Sequence, residues 1–184
     1  LKLWGGDSDS GCCSVGDVED ARRVAAQLGV PHYVFNFSDD FERNVVDPYA
    51  RAYEAGRTPN PCVECNRTMK FGRALDRARQ LGFDAVATGH HARVERSGER
   101  FALQRGADRS KDQSYVVHML DQAALATTLF PVGDFAEKAQ LRALAAELGL
   151  RTATKPDSQD VCFITSTGGR RDFLRRRIPF HPAT

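Results

Sequence analysis

A chain of 184 residues, 41% hydrophobic and 27% charged, is long enough to bury a core as one soluble domain and too ordinary in composition to be fibrous or disordered. No apolar run approaches the roughly 18 residues needed to span a bilayer, and a net charge of +2 gives no global argument for nucleic-acid binding. Five cysteines without a visible export signal point to a reducing, cytoplasmic setting in which thiols are catalytic or metal-binding.

Leu1-Lys2-Leu3-Trp4 has a strand-like flavour and no initiator Met, as expected of a truncated chain. Val18, Ala21, Val24, Ala25 and Leu28 then recur at helical spacing, with Gly29 as the stop. His32 to Phe37 reads as a short strand, rich in aromatic and β-branched residues. Phe41, Val45, Tyr49 and Tyr53 mark a second helix, with a kink expected at Pro48 and Gly56 as its close. After the stiff loop Arg57-Thr58-Pro59-Asn60-Pro61, a third helix carries Phe71, Leu75, Ala78 and Leu81 and ends at Gly82. Ala85-Val86-Ala87-Thr88 reads as a buried strand running into Gly89-His90-His91. The stretch from Ala92 to Gly106 is a hairpin candidate with Ser97-Gly98 at its middle. Two more helices are expected over about Gln122 to Leu129 and Glu137 to Leu148, followed by a polar loop from Lys155 to Cys162. This βα alternation predicts a mostly parallel sheet with helices on both faces, and ligands at the C-terminal strand ends.

Several residue groups carry candidate chemistry. Cys62-Val63-Glu64-Cys65 places two thiols at a helix start, where the helix terminus favours the thiolate. A zinc knuckle, a thioredoxin-like redox pair and two incidental buried cysteines are the competing readings; zinc would need a second pair that Cys12, Cys13 and Cys162 do not supply. Cys162 stands alone behind a polar loop, reactive or structural. Lys111-Asp112-Gln113-Ser114-Tyr115 is either a ligand-contacting cluster or a solvated loop with a cap. His90 is either a ligand-edge residue or a satisfied structural histidine. Five arginines from Arg170 to Arg177 form a phosphate-contacting patch or a solvated helix face. Gly5-Gly6-Asp7-Ser8-Asp9-Ser10 imitates a pyrophosphate-binding Ser-Gly-Gly-x-Asp-Ser loop. Trp4 holds the place of the leading Ser and the Asp-Ser pair comes one residue late, so it reads as a decoy.

Taken in order, several blocks resemble the tRNA-uridine 2-sulfurtransferase (thiouridylase) family over nearly the whole chain. They are Gly56-Arg57-Thr58-Pro59-Asn60-Pro61, Cys65-Asn66, Lys70-Phe71, Ala87-Thr88-Gly89-His90, Lys111 to Tyr115, Leu129-Phe130-Pro131-Val132-Gly133, and Asp157-Ser158 before Cys162-Phe163-Ile164. Gly11-Cys12-Cys13 followed by Asp20-Ala21-Arg22 is similar to one subgroup. The resemblance implies an α/β fold with a doubly wound, mostly parallel sheet of the ATP-pyrophosphatase (adenine nucleotide alpha hydrolase-like) type, incomplete at its N-terminus. It implies a catalytic domain over residues 1–165, whose pyrophosphate loop would lie before Leu1. A basic segment over 166–184 would lead into a tRNA-binding domain beyond Thr184.

The resemblance also implies an activity. ATP, with Mg, adenylates the C2 oxygen of the wobble uridine of a tRNA, and a sulfur-carrier protein delivers persulfide sulfur. Cys162 matches the persulfide-bearing position and Cys65 the thiol that attacks it, leaving a Cys65–Cys162 disulfide; their Cα atoms must then come within about 7 Å. Asn60, Pro61 and Cys62 match positions near the target base, His90, Lys111, Asp112 and Gln113 match tRNA contacts, and Gly89 and Leu1 match ATP-site positions. No metal-ligand set is implied. Many relatives carry an acid/base Asp at the position of Cys62, which a thiol does not simply replace. The alternatives are a thiolase with an iron–sulfur cluster on Cys62, Cys65 and Cys162, and a non-catalytic RNA- or zinc-binding module.

Overall fold

The computed structural model describes residues 1–4, 15–155, 161–164 and 168–179. The chain forms two compact units, Leu1–Cys65 with Pro156–Thr184, and Asn66–Lys155. The expectations for Gly5 to Ser10, for Cys12 and Cys13, and for Asp157 and Ser158 lie outside the described residues.

In the first unit, helix Val15–Gln27 follows the expected spacing and ends just before Gly29. The aromatic run His32 to Phe37 does not form the expected strand. It contributes one parallel bridge, Lys2 with Asn36, closed by Lys2 N–H to Phe35 O and Phe37 N–H to Lys2 O, both 2.8 Å. β propensity becomes a strand only where a neighbour supplies a ladder, and here the described neighbour offers one residue's pair of backbone groups.

The second helical pattern is continuous from Ser38–Phe41 through a π-helical stretch, Glu42–Val46, into Asp47–Glu54. The helix runs on through Pro48, where a kink was expected: Val46 and Asp47 keep helical dihedrals, and the proline sits in the first turn of Asp47–Glu54. There a missing N–H costs least. This run buries Phe41, Val45, Val46 and Tyr49. Phe163 packs edge-on to Tyr49 and Phe41, with ring centroids 5.3 and 5.8 Å away, and lies 5.1 Å from Phe173 of helix Gly169–Arg175. Arg177 caps the cluster, its guanidinium 4.8 Å from the Phe173 ring and 5.6 Å from Trp4, while ion-pairing with Glu42 and Asp47.

In the chain leading to the second unit, the third helix begins earlier than its apolar spacing predicts. It opens at Pro61–Glu64, continues as a nine-residue π-helical stretch, Cys65–Arg73, and ends as Ala74–Gln80. Strand β1, Val86–Ala87, pairs in parallel with β4, Thr128–Leu129, in the register Val86 with Thr128 and Ala87 with Leu129. The expected helix to Leu129 therefore stops at Ala126. Thr127 and Thr128 are β-branched, and the Thr127 hydroxyl turns back onto Ala123 O at 3.1 Å. Nor is β1 a buried strand, since Ala85 and Ala87 are exposed and Val86 half-buried.

The hairpin forms as expected, β2 Ala92–Ser97 antiparallel to β3 Arg100–Arg105. Helix Lys138–Glu147 opens with a Glu137–Gln140 capping box. Met69, Leu75, Ala92, Val117 and Leu125 form the unit's apolar core. The architecture is thus α/β, with parallel pairing in both units and one antiparallel hairpin. No described helix is long and apolar enough to cross a membrane.

Candidate functional site

The first site region is the helix start that carries Cys62 and Cys65. Gly56, at φ 70°, reverses the chain after Asp47–Glu54, a conformation a side-chain residue adopts only under strain. Asn60 then caps the next helix, its Oδ1 accepting from Cys62 N–H at 3.0 Å and Val63 N–H at 3.4 Å, and Pro61 occupies the first helical position. Asn60 and Pro61, expected near the target base, therefore also build the helix start. Cys62 is exposed and Cys65 half-buried. Three residues apart in a helix, they share one face.

Cys162 is half-buried and precedes Phe163 and Ile164, which are 2% and 4% exposed. The Trp4, Phe41, Tyr49 and Phe173 rings around Phe163 fix the chain immediately beyond the thiol, and Ile164 N–H closes a turn onto Val161 O at 2.9 Å. Cys62, Cys65 and Cys162 all fall in the first unit. Among the described residues, no three His, Cys, Asp or Glu side chains assemble as a metal-holding group, so the structure does not gather these thiols into a cluster site. Leu1, also of this unit, is 40% exposed beside the Lys2 bridge.

The remaining expected residues lie in the second unit. Gly89 follows the C-terminal end of the parallel strand β1, the end at which α/β folds bind ligands. A Cβ added there would meet nothing within 4 Å, so the position faces open space. His90 is 7% exposed, with its ring tilted on Phe71 at 5.7 Å and edge-on to Phe130 at 5.9 Å. Its Nδ1 lies 2.8 Å from the Thr88 hydroxyl. Burial first, then the positive charges of Lys70 and His91, lowers its pKa to about 4 and keeps the imidazole neutral.

Lys111, Asp112 and Gln113 sit on a turn held from every side. Asp112 Oδ1 accepts from Gly106 N–H at 2.9 Å and Ser114 N–H at 3.2 Å, and its Oδ2 accepts from the Ser114 hydroxyl at 2.9 Å. Burial works to raise the carboxyl's pKa, but these bonds hold it below the usual range. Gln113 exchanges two bonds with His91: its N–H reaches His91 O at 2.9 Å and its Oε1 accepts His91 N–H at 3.0 Å. Asp108 binds Ser110 and the Lys138 N–H that opens helix Lys138–Glu147. Asn66, the residue after Cys65, is 2% exposed and donates to Val116 O at 3.0 Å. Sequence reasoning carried Asn66 only within the Cys65-Asn66 block, with no role assigned, and did not single out Asp108. A short polar residue beside an apolar run and an Asx spacing to Ser110 were the signals available.

A cavity of about 600 Å³ in the second unit lies elsewhere, lined by Arg93, Glu95, Gln104, Phe130 and Asp134 among others. None of the expected site residues lines it.

The sequence is similar to those of known proteins. Residues 1–166 match the family model described as tRNA methyl transferase HUP domain. The chain is 50% identical over 187 residues to the tRNA-specific 2-thiouridylase MnmA of Heliobacterium modesticaldum, covering 98% of this chain and 48% of that protein. It is 52% identical over 173 residues to the protein of the same name from Symbiobacterium thermophilum, covering 92% and 44%. With that of Chloroflexus aggregans the identity is 50% over 184 residues, covering 97% and 51%. The chain spans about half the length of the curated relatives it matches. It belongs to the tRNA methyl transferase HUP domain family, on the branch whose relatives are 2-thiouridylases.

Proposed function

We propose that this chain carries the sulfur-handling half of a cytoplasmic enzyme that converts the wobble uridine of tRNA to 2-thiouridine. The observation that supports it most is the joint presence of Cys65 and Cys162 in one compact unit, one on a capped helix start and the other beside the anchored Phe163. Methyl transfer, which the family's description would suggest, has no need of two such thiols; sulfur transfer does.

In this reading the domain, residues 1–165, is a doubly wound ATP-pyrophosphatase-type fold, and residues 166–184 lead toward a tRNA-binding region. ATP, with Mg, supplies activation of the uridine C2 oxygen, and Gly89 and Leu1 are the residues here that would lie against it. Sulfur arrives from a carrier protein as a persulfide on Cys162. The Cys65 thiolate attacks the Cys162 sulfur, forming the Cys65–Cys162 disulfide and releasing the terminal sulfur as hydrosulfide. Hydrosulfide takes the C2 position as the activated oxygen leaves. The persulfide is reduced and the two thiols are oxidised by two electrons, so each cycle ends with a thiol reductant restoring both cysteines. Asn60, Pro61 and Cys62 lie near the target base, and Lys111 and its turn bind the tRNA.

The deciding experiment is thiolation of tRNA by the full-length enzyme with Cys65→Ser, Cys162→Ser and Cys62→Ser. Loss from the first two with tRNA binding intact, and a smaller loss from the third, is the expected pattern. Equal loss from all three replaces the persulfide route with a three-thiolate cluster, and methylation of tRNA in place of thiolation overturns the reading.

A further inference from the structure

We infer that Arg177 is a positioning residue for sulfur transfer, fixing the turn that carries Cys162 by tying together the three segments that enclose Phe163. The inference rests on the proposed role of Cys162 and adds to it the group that holds that thiol in place.

The thiol's own neighbour is the lever. Phe163 follows Cys162 directly and is 2% exposed, so the backbone at the thiol moves only as far as that ring allows. Trp4 from the start of the chain, Phe41 and Tyr49 from the helical run Ser38 to Glu54, and Phe173 from helix Gly169–Arg175 enclose the ring. Their centroids lie 5.1 to 6.0 Å from it. Apolar packing is non-directional, so it gathers the three segments without fixing their register.

Arg177 supplies the directional contacts. It stands just beyond helix Gly169–Arg175, where its N–H and that of Ile178 both return to Leu174 O, at 2.9 and 3.0 Å. Its Nη1 donates to Glu42 Oε1 and lies 3.6 Å from Asp47 Oδ1. These carboxylates bracket the π-helical stretch Glu42–Val46, between the Phe41 and Tyr49 rings that touch Phe163. The guanidinium also lies 4.8 Å from the Phe173 ring and 5.6 Å from Trp4. One side chain therefore contacts all three segments. A planar cation meets carboxylates with its edge and rings with its face, which an ammonium cannot do together.

The Arg177 side chain is 26% exposed, and those of Glu42 and Asp47 are 35% and 42%, so solvent screens the pairs and the fold gains little stability from them. Their effect is on position. A reacting group displaced by about 1 Å loses far more in rate than such pairs add in stability.

The test is tRNA thiolation by the full-length enzyme, driven either by carrier persulfide, which passes through Cys162, or by inorganic sulfide, which enters after it. Arg177→Gln lowers kcat of the carrier-driven reaction about tenfold. It leaves sulfide-driven thiolation and tRNA affinity unchanged and moves the thermal midpoint by no more than about 3 °C. Arg177→Lys, which keeps a cation for the carboxylates but no flat face for the rings, restores part of the rate. Glu42→Gln combined with Asp47→Asn reproduces the loss with Arg177 in place, and serves as the test should Arg177→Gln fail to fold. A loss shared by both sulfur sources marks a general structural defect, and an unchanged carrier-driven rate marks a solvated arginine; either overturns this inference alone. So does a loss that takes the form of a higher KM for carrier or tRNA at unchanged kcat, since Arg177 would then touch that partner. Carrier-driven thiolation that survives Cys162→Ser overturns the proposed route and this inference with it.

Discussion

The helix start at Asn60–Cys65 and the turn at 106–116 are both loop-derived candidate regions, yet they are held in opposite ways. At the helix start one side chain, Asn60, provides the cap, and Cys62 is left exposed with Cys65 half-buried one turn later. In the turn, Asp108, Asp112, Gln113 and Asn66 satisfy a web of backbone groups, and Gly106 and Gly133 admit close main-chain contacts. In the proposed function, a thiol that must meet a donor and then a partner thiol benefits from an accessible position. A surface that must recognise a nucleic acid benefits from a geometry set in advance. In the proposed function, the chain divides these demands between its two units.

The sharpest way to break this comparison is at the thiols. Cys65→Ser or Cys162→Ser is expected to remove about 10³-fold or more of thiolation while the thermal midpoint barely moves, as read by nucleoside mass spectrometry and calorimetry on the same samples. Mild oxidation should link Cys65 to Cys162 ahead of Cys62 to Cys65. A dominant Cys62–Cys65 link would put Cys62 in place of Cys162 as the partner of Cys65.

The next effect falls on the braced region. A Cβ on Gly133 would stand 1.7 Å from Ala92 O, a backbone atom that cannot swing aside. Gly133→Ala should cost more than about 3 kcal/mol, a fall in the thermal midpoint on the order of 6–12 °C. An unchanged midpoint would mean that the turn's support is softer than its contacts indicate.

His90 supplies a comparable effect with a pH signature. Its folded pKa of about 4 lies below the ordinary histidine value of 6.5, so between those values the unfolded chain binds the proton more strongly. Stability is therefore full above about pH 6.5, falls as pH drops through that window, and levels off below about 4 as far as this group is concerned. The loss is on the order of 2–4 kcal/mol, and His90→Gln should flatten the slope in denaturation curves taken from pH 7 to 4.5. Retention of the full slope would assign it to other groups.

The smallest effect belongs to the helix start. Asn60→Ala removes the cap and should cost about 1 kcal/mol, with Asn60→Asp restoring most of it. A loss several times larger in chemical denaturation would show that the helix start is braced as heavily as the turn.

Much of this was legible in the sequence because it is local. The helix start at Cys62, the hairpin at Ser97-Gly98 and, from the ordered blocks between Gly56 and Ile164, the family could be read because each depends on neighbours along the chain. Other features were decided only by tertiary structure. His32 to Phe37 has strand chemistry but made a single bridge, and Thr128–Leu129 left a helical pattern to pair with β1, because strands exist through partners distant in sequence. Asp112 and Gln113, tRNA contacts by resemblance, also bond Gly106, Ser114 and His91 across the fold, which no spacing along the chain announced. Spacing tells which groups a segment carries; only packing decides which of them are consumed in holding the fold and which remain for a ligand.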